Sequence, residues 1–346
     1  MNLLAASAAA AAKSQGRFTE YDHISTGNAT AVPKKEPPTS QKEMPFDIST
    51  IILHPTNLPM KCFGLQRFCC NDSEYDAQEW RLAHVADLST LHLYTTNEKT
   101  RCELWAKMWS TSRILAEILS GNTVCSNLSN LNVLEIGAGT ALCGIIVASY
   151  GAKVKVTDSS EQALTLAMKS ASLNNIQNEF FKTERLNWHS LEAMPKKPSY
   201  ELLIGSDVLF MEMNIKSIIN VIIKNVLPNG LAIILDPGRP CAENFQLECE
   251  NYHHQTDLDS LSHPKKLVVE KLIIENLIIS KNKLLKKAVL YLITVNSDGT
   301  KEPIEQIDLL KQNFIDTWTY LSHEHVVESV EDRDKMSYEY TEDLGN

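Results

Sequence analysis

The sequence predicts an α/β fold, Rossmann-like and doubly wound, with helices on both faces of a mostly parallel sheet and a strand-rich N-terminal extension. Two observations carry this prediction. Short apolar runs with strand composition alternate with helix-like segments through the middle of the chain, as in βαβ units. A glycine turn, "EIGAGT", follows the first of these runs and precedes a helix-like segment, as in nucleotide-binding folds.

The chain is predicted to divide into four parts. Residues 1–45 are expected to be a disordered tail, because "AVPKKEPPTSQKEMP" combines prolines and charges without a periodic apolar face. Residues 46–103 mix short apolar runs such as "STIILH" and "STLHLYTT" with turn residues, which indicates a small strand-rich extension. The α/β domain is assigned to residues 104–322, and residues 323–346 to an acidic C-terminal tail.

Apolar periodicity predicts the elements of the α/β domain in order. Apolar residues recur at helical spacing in "LWAKMWSTSRILAEIL", which predicts a helix that begins at Leu104. Strands are predicted at the runs "NVLEI", "KVKVT", "FKTERL", "ELLIGS" and "LAIIL", and helices at "EQALTLAMKSASLNN" and "NIKSIINVIIKNVL". Two late strands are predicted at "KLVVEKLIIENLIIS" and "KKAVLYLITVN", followed by a helix at "IEQIDLLKQNFIDTWTYL".

Composition narrows the function classes. A formal net charge of −10 argues against sequence-independent binding of nucleic acid, which needs a basic surface. The same charge is compatible with a cationic substrate. No apolar run approaches the roughly 18 to 20 residues that span a bilayer, so no membrane association is expected. The eight cysteines include no Cys-x-x-Cys pair and no histidine cluster has ligand spacing, so we expect no metal site.

The N-terminal sequence bears on location. The run "LLAASAAAAA" has no basic residue before it, unlike a secretory signal, so we expect a cytoplasmic or nuclear protein. The first nineteen residues lack acids and contain Lys13 and Arg17, which leaves a mitochondrial location open.

The glycine turn and the end of the next strand predict a cofactor site. Gly137 and Gly139 remove side chains where the backbone must bend and approach a ligand closely. Asp158 ends the next strand, where a carboxylate can accept hydrogen bonds from ribose hydroxyls. A dinucleotide-binding motif has a third glycine at the position of Leu142, so this motif is incomplete here. The carboxylate of Glu135 would repel a pyrophosphate, but it suits a ligand with an ammonium group and a sulfonium. S-adenosylmethionine meets these demands.

Further polar and aromatic residues are expected at the same edge of the sheet. Asn187 and Trp188 follow the third strand, and the preceding helix brings Trp109 close by; the two tryptophans either contact the adenine or methionine part of the cofactor or only pack. Asp207 ends the fourth strand and is expected to act on an acceptor group, with Phe210 as an aromatic wall for a cation.

These stretches resemble a known family. The segment "VLEIGAGTALCGIIVASYGAKVKVTD" resembles the first two motifs of seven-stranded (class I) S-adenosylmethionine-dependent methyltransferases, and it is similar to the family-16 protein lysine methyltransferases. "ELWAKMWSTSRILAEIL", "RLNWHS" and "GSDVLF" resemble that family's tryptophan helix, third-strand Asp-Trp and Asp-x-x-Tyr/Phe signature. "DPGRP" is similar to the branch with the lysine methyltransferase of the electron-transfer flavoprotein beta subunit. The resemblance covers roughly residues 104–240.

The resemblance implies a seven-stranded sheet and an S-adenosylmethionine-dependent N-methyltransferase that methylates a lysine side chain of one or a few proteins, with a monomer favoured. Two positions depart from the family: Ser110 stands where proline is usual, and Asn187 where aspartate is frequent. The catalytic candidates are Asp207 and Phe210. The candidates for cofactor binding are Trp109, Glu135, Gly137, Gly139, Asp158, Asn187, Trp188 and Asp207.

Several alternatives stay open. The first alternative is a methyltransferase whose acceptor is a small molecule, an arginine or a histidine instead of a lysine. A methyltransferase fold that only binds a partner is a second alternative, because fold alone does not establish activity. An NAD-dependent oxidoreductase is disfavoured by Leu142 and by the lack of a catalytic Tyr-x-x-x-Lys. Arg239 is expected either to orient an acidic substrate group or to pair with Asp236.

Overall fold

The computed structural model describes residues 46–53, 78–85, 103–190, 197–252, 266–280, 283–296, 304–324 and 337–338. The predictions for the N-terminal tail, for the run "STLHLYTT" and for most of the C-terminal tail lie outside these residues. The division of the chain at residues 45, 103 and 322 stays a prediction.

Eight of the ten described strands form one mixed sheet in the order β10-β9-β7-β6-β3-β4-β5, with β8 paired to β9. Five predicted strands and the two late strands are all present, so the predicted mostly parallel, seven-stranded sheet is confirmed. The short β10 adds an eighth strand that no apolar run predicts. The strands are β1 (Phe46–Leu53), β2 (Gln78–Val85), β3 (Asn132–Ile136), β4 (Lys153–Asp158), β5 (Phe181–Arg185), β6 (Tyr200–Ser206), β7 (Val226–Asp236), β8 (Lys266–Ser280), β9 (Lys283–Asn296) and β10 (Ser337–Tyr338).

The strand order reverses at β3. From β3 the chain moves outward through β4 to β5, with all three strands parallel, and then returns to β6 on the other side of β3. Strand β7 is parallel to β6, whereas β9 is antiparallel to both β7 and β8. In sheets of this kind the crevice at the carboxyl ends of the strands, where the order reverses, is the ligand site.

The helices match the predicted ones except at the first. Helix α1 begins at Ser110 instead of Leu104, because Trp109 has an extended backbone (φ −89°, ψ 152°) and residues Glu103–Ala106 form a separate 3₁₀ turn. Two short helices, α2 and α6, have no counterpart in the prediction. The helices are α1 (Ser110–Leu119), α2 (Asn122–Cys125), α3 (Leu142–Ser149), α4 (Glu161–Leu173), α5 (Glu212–Asn225), α6 (Phe245–Glu250) and α7 (Glu305–Glu324).

Buried side chains alternate between the two faces of the sheet. Val133, Leu202 and Ile204 belong to one core cluster, together with residues of α1, α3, α4 and α7. Leu134 and Leu203, which neighbour them in the same strands, belong to a second cluster that includes residues of α5 and α6. Because successive residues of a strand point to opposite faces, helices cover both faces, and the doubly wound prediction is confirmed.

The N-terminal extension contributes an antiparallel pair, β1 and β2, that forms a separate two-stranded sheet. Strand β2 docks on the end of α4. Asn174 accepts a hydrogen bond from the Arg81 amide at 2.9 Å and donates one to the Arg81 carbonyl at 2.7 Å. Ser170 Oγ accepts a hydrogen bond from the Ala83 amide at 2.8 Å. Ser170 of α4 and Asn174, which caps that helix, therefore hold the backbone of β2 in a defined register.

None of the described helices is long and apolar enough to cross a bilayer. Within the described ranges, no group of three or more His, Cys, Asp or Glu side chains is arranged to hold a metal ion.

Candidate functional site

A cavity of about 780 Å³ lies at the carboxyl ends of β3, β4 and β6. Its volume falls in the range of roughly 300 to 1,000 Å³ that is usual for small-molecule and cofactor sites. The structure brings all the predicted site residues to its wall, whereas their individual roles stay predictions. The predicted residues that line it are Trp109, Glu135, Gly137, Gly139, Asp158, Asn187, Trp188, Asp207 and Phe210, together with Arg239.

Two features of the glycine turn require glycine: a left-handed backbone and close contact with neighbouring residues. Gly137 and Gly139 have φ values of +57° and +52°, in the left-handed region that favours glycine. A Cβ atom on Gly137 would lie 2.7 Å from Cζ2 of Trp188, and one on Gly139 would lie 3.0 Å from the carbonyl oxygen of Trp105. The turn therefore brings bare backbone to the cavity wall. Trp105 also lines the cavity and was not predicted as a site residue, since only its packing against this turn places it there.

Glu135 lies beneath the helix that follows the turn. The side chain is buried, and its Oε2 accepts a hydrogen bond from the Gly144 amide at 3.0 Å. Burial raises the pKa of Glu135 to about 8; the Gly144 hydrogen bond opposes the rise and the charge of Asp158 adds to it. Glu135 thus has a protein partner as well as a place in the cavity wall. The importance of Gly144, which leaves room for this carboxyl group, is visible only in the packed structure.

Asp158 fastens the glycine turn to the end of β4. Its Oδ2 accepts a hydrogen bond from the Gly139 amide and its Oδ1 one from the Ser160 amide, both at 2.9 Å. Burial raises the pKa of Asp158, and the backbone hydrogen bonds oppose this. Each carboxylate oxygen has a second lone pair, so Asp158 can still accept hydrogen bonds from a ligand.

Two aromatic side chains, one following β5 and one following β6, lie close together in the cavity wall. The ring centroids of Trp188 and Phe210 are 6.3 Å apart, with the planes tilted by 54°. The Nε1 donor of Trp188 is buried and has no hydrogen-bond partner among the described residues. The neighbouring Asn187 is exposed, and its Oδ1 accepts a hydrogen bond from the His189 amide at 3.0 Å. Trp188 thus lines the cavity with part of its ring, while its Nε1 is shielded from solvent.

Trp109, immediately before α1, also lines the cavity. Its indole Nε1 donates a hydrogen bond to the Leu104 carbonyl at 3.0 Å, which folds the 3₁₀ turn against the start of α1. Lys107 Nζ lies 4.6 Å from the centroid of the Trp109 ring, a cation–π contact. The half-buried ring therefore has a structural role in addition to its position in the cavity wall.

Asp207 is held in place from both sides. Its backbone has φ +62°, a left-handed conformation that aspartate adopts more readily than most residues. One carboxylate oxygen accepts a hydrogen bond from Arg239 Nη2, and the other accepts one from Thr111 Oγ1. Ser206 Oγ in turn donates to Thr111 Oγ1 at 3.1 Å. Thr111 was not predicted as a site residue, because it lies on α1, far from Asp207 in the sequence.

Arg239 links Asp207 to a second buried carboxylate. Its Nη1 donates to Asp236 Oδ2 at 3.0 Å, and Asp236 Oδ1 accepts hydrogen bonds from the amides of Gly238 and Arg239, each at 2.8 Å. Burial raises the pKa of Asp236 to about 6, although the charge of Arg239 opposes the rise. Of the two predicted partners for Arg239, the structure contains the pair with Asp236 and adds the pair with Asp207.

Comparison with known proteins relates the middle of this chain to a family. Residues 89–239 match the model of a family described as lysine methyltransferase. The chain is 31% identical over 128 residues to the histone-arginine methyltransferase METTL23 of Xenopus laevis, which corresponds to 36% of this chain and 53% of that protein. It is 30% identical over 113 residues to the protein N-lysine methyltransferase METTL21A of Xenopus tropicalis, or 31% of this chain and 48% of that protein. The chain thus spans about half the length of the curated relatives it matches.

A solved structure of magnesium protoporphyrin IX methyltransferase (ChlM) from Synechocystis PCC 6803 with bound SAM aligns with a TM-score of 0.34 and 15% identity, over 49% of this chain and 72% of that chain. A TM-score of this size does not establish a shared fold, so the fold class rests on the sheet topology described above. The family match includes every predicted site residue from Trp109 to Phe210 and ends at Arg239. The finer similarity of "DPGRP" to one branch stays a prediction. The predicted family resemblance is confirmed to this extent: residues 89–239 of this chain match the lysine methyltransferase family model.

Proposed function

We propose that this protein is an S-adenosylmethionine-dependent N-methyltransferase that methylates a lysine side chain of a protein. The observation that carries this proposal is that one cavity joins two chemically different walls. The glycine turn and Asp158 form one wall, which suits the cofactor, and Asp207 and Phe210 form the other, which suits a cationic acceptor. The match of residues 89–239 to the lysine methyltransferase family model supports the same activity.

The residues present fit the proposed cofactor. At Gly137 and Gly139 bare backbone reaches the cavity, so a ligand can approach closely. Asp158 keeps lone pairs for ribose hydroxyls, and the ring of Trp188 lines the same cavity. When bound, S-adenosylmethionine supplies an electrophilic methyl group on a sulfonium. We assign further contacts with it to Trp109, Glu135 and Asn187.

The acceptor side is assigned to Asp207 and Phe210. An amine acts as a nucleophile only in its neutral form, which partial desolvation in a cavity favours. Phe210 presents an aromatic ring that can stabilise a cationic side chain as it enters, and Asp207 presents carboxylate oxygens that can accept a hydrogen bond from the amine. The protein then contributes alignment of the reacting groups and shielding from water.

An arginine acceptor is the second candidate. The curated relatives include a histone-arginine methyltransferase at 31% identity beside a protein N-lysine methyltransferase at 30% identity, so similarity alone does not favour one acceptor. We prefer lysine because the matching family model is that of lysine methyltransferases. A cytoplasmic or nuclear location and a monomeric state stay predictions.

The test is methyl transfer into a whole-cell extract. Purified protein is incubated with extract and labelled S-adenosylmethionine, the proteins are digested, and mass spectrometry locates the label. We expect label on lysine peptides of one or a few proteins, and none with the variant Gly137→Arg, whose side chain would meet Trp188. Label on arginine peptides would favour the second candidate. Label confined to small molecules or nucleic acid, or no transfer at all, would contradict the proposal.

A further inference from the structure

Three charged side chains form a buried cluster in and behind the acceptor wall. The side chains of Asp207 and Arg239 are each 7% exposed, and that of Asp236 is not exposed at all. Arg239 contacts both carboxylates, through Nη2 to Asp207 and through Nη1 to Asp236. With all three groups ionised, the cluster has two negative charges and one positive charge, so its net charge is about −1 by this count.

This net charge matters for the chemistry that the acceptor must undergo. A lysine amine enters as an ammonium ion and has to lose a proton before it can attack. Nearby negative charge favours the ammonium form, whereas nearby positive charge favours the neutral amine. Because Asp207 and Arg239 both line the cavity, an amine at the acceptor wall experiences the two charges together.

Resting on the proposed function, we propose that Arg239 is a positioning residue that balances the charge of Asp207 and Asp236 and thereby sets how readily the acceptor amine loses its proton. Arg239 suits this role because its guanidinium stays charged at all working pH values, and the two aspartates strengthen that tendency against the effect of burial. The planar guanidinium also holds Asp207 in one orientation and balances its negative charge.

The second carboxylate oxygen of Asp207 is held by hydroxyl groups instead of by a charge. Thr111 Oγ1 donates to the oxygen that Arg239 does not hold, and Ser206 Oγ donates to Thr111. These donors orient the carboxylate without adding charge. A change at Thr111 should therefore disturb alignment only, whereas a change at Arg239 or Asp236 should disturb both alignment and charge.

Other ionisable groups surround the cluster and stay unchanged in the test below. Asp236 interacts electrostatically with the thiol of Cys241 and the phenol of Tyr291, and burial is the main cause of the raised pKa of both groups. The side chain of Lys287 packs beside Gly238, and Glu212 begins α5 near Cys241. The exposed His189 lines the cavity farther out. Since the charge count is changed only at residues 236 and 239, these neighbours are common to every variant.

The experiment measures the initial rate of methyl transfer from tritium-labelled S-adenosylmethionine into the protein fraction of the same cell extract, between about pH 6 and 10, where a lysine amine in a protein site can titrate. Arg239→Met removes the positive charge, so at any pH where both aspartates are ionised the cluster has a charge of about −2, and the pH of half-maximal rate should rise by about 1 to 3 units. Asp236→Asn changes it to about 0, so the same midpoint should fall, and the double variant should return close to the wild-type midpoint.

Two further variants separate charge from structure. Thr111→Val should lower the rate at every pH without moving the midpoint, because it removes a donor and no charge. Arg113→Met removes a guanidinium that pairs with Glu117 on α1, outside the cavity, and should leave both rate and midpoint unchanged. If Arg239→Met does not fold, Asp236→Asn alone still tests the direction of the shift, since its amide oxygen can keep the backbone hydrogen bonds at residues 238 and 239.

A second measurement does not depend on activity. The midpoint temperature of thermal unfolding of Arg239→Met should be lower than that of the wild type by roughly 5 to 10 °C near pH 8, because two buried carboxylates lose their cation. This deficit should shrink as the pH falls toward 6, because the pKa of Asp236 rises further once Arg239 no longer lowers it, so Asp236 of the variant takes up a proton above that pH. Equal rate losses at all pH values with unmoved midpoints would overturn the charge-balancing role alone. Absence of any transfer by the wild-type protein would overturn the proposed function and this inference together.

Discussion

The carboxyl group of Glu135 and the backbone of Gly144 occupy adjoining space in the core. Glu135 Oε2 accepts the Gly144 amide hydrogen at 3.0 Å, and a Cβ atom on Gly144 would lie only 2.3 Å from that oxygen and 2.7 Å from Cγ2 of Val156. Helix α3 therefore approaches β3 closely enough to cover the acid only because residue 144 has no side chain.

Gly144→Ala should lower the free energy of unfolding by about 1 to 2 kcal/mol, since overpacking a buried site usually costs more than the gain in helix propensity. Denaturant titration checks this. Ser149→Ala, at the exposed end of the same helix, is the control and should change stability by less than about 0.5 kcal/mol. A Gly144→Ala variant as stable as the control would show that β3 and α3 can separate without cost.

Glu135 should make the stability of the free protein depend on pH. Its pKa in the folded protein is about 8, well above the ordinary 4.5, so its contribution is fully present below about pH 4.5 and is lost as the pH rises through 8. Glu135→Gln stays neutral, so between pH 5 and 9 the wild type should lose about 3 to 5 kcal/mol relative to this variant. Denaturant titrations at several pH values measure the difference. Parallel pH curves for the two proteins would contradict the prediction.

The cofactor prediction concerns Gly137 and Asp158. Isothermal titration calorimetry with S-adenosylmethionine should show no binding to Gly137→Arg, because the new side chain would meet the Trp188 ring. Asp158→Ala should weaken binding by roughly 1.5 to 3 kcal/mol, the usual worth of hydrogen bonds to a charged acceptor. Thermal unfolding of the free variants shows whether each is folded. Wild-type affinity in both variants would contradict the assignment of this wall to the cofactor.

Asp207 is predicted to act on the acceptor more than on the cofactor. Asp207→Ala should lower turnover strongly, by about 100-fold or more, with the dissociation constant of S-adenosylmethionine changed only a few fold. Asp207→Asn is the matched variant, because asparagine tolerates the left-handed backbone at this position and removes only the charge. Steady-state kinetics and calorimetry on the same samples check this. Equal losses in turnover and affinity would reassign Asp207 to cofactor binding.

The contact between α4 and β2 predicts how the N-terminal extension is held. Asn174→Ala removes both hydrogen bonds to Arg81 and should speed amide exchange in β2, with a loss of about 1 to 3 kcal/mol in local stability. Hydrogen exchange followed by mass spectrometry measures this. Asn178→Ala, in the exposed turn that follows, is the control. Unchanged exchange in β2 would mean that apolar packing alone holds the extension.

The elements nearest the glycine turn follow from local properties of the chain. Strands β3, β4 and β6 coincide with short apolar runs, and the turn at Gly137 and Gly139 coincides with the left-handed backbone that glycine tolerates. The doubly wound topology then brings the strand ends together, which is why Asp158 and Asp207 could be predicted to share one site. Hydrophobic periodicity could not predict where α1 begins, because it continues unbroken across the extended Trp109.

The electrostatic state of the site depends on contacts between distant residues. Thr111 is separated by 96 positions from Asp207, and Arg239 by 32, so no local pattern links either of them to that carboxylate. Burial likewise exists only after packing, and it is burial that raises the pKa of Glu135 and Asp236. The sequence by itself determined which polar groups stand at the ends of the strands, because strand ends are encoded locally. Only the tertiary structure decided which of these groups are paired and how strongly they bind a proton, because both depend on the neighbours that folding supplies and on the water that it removes.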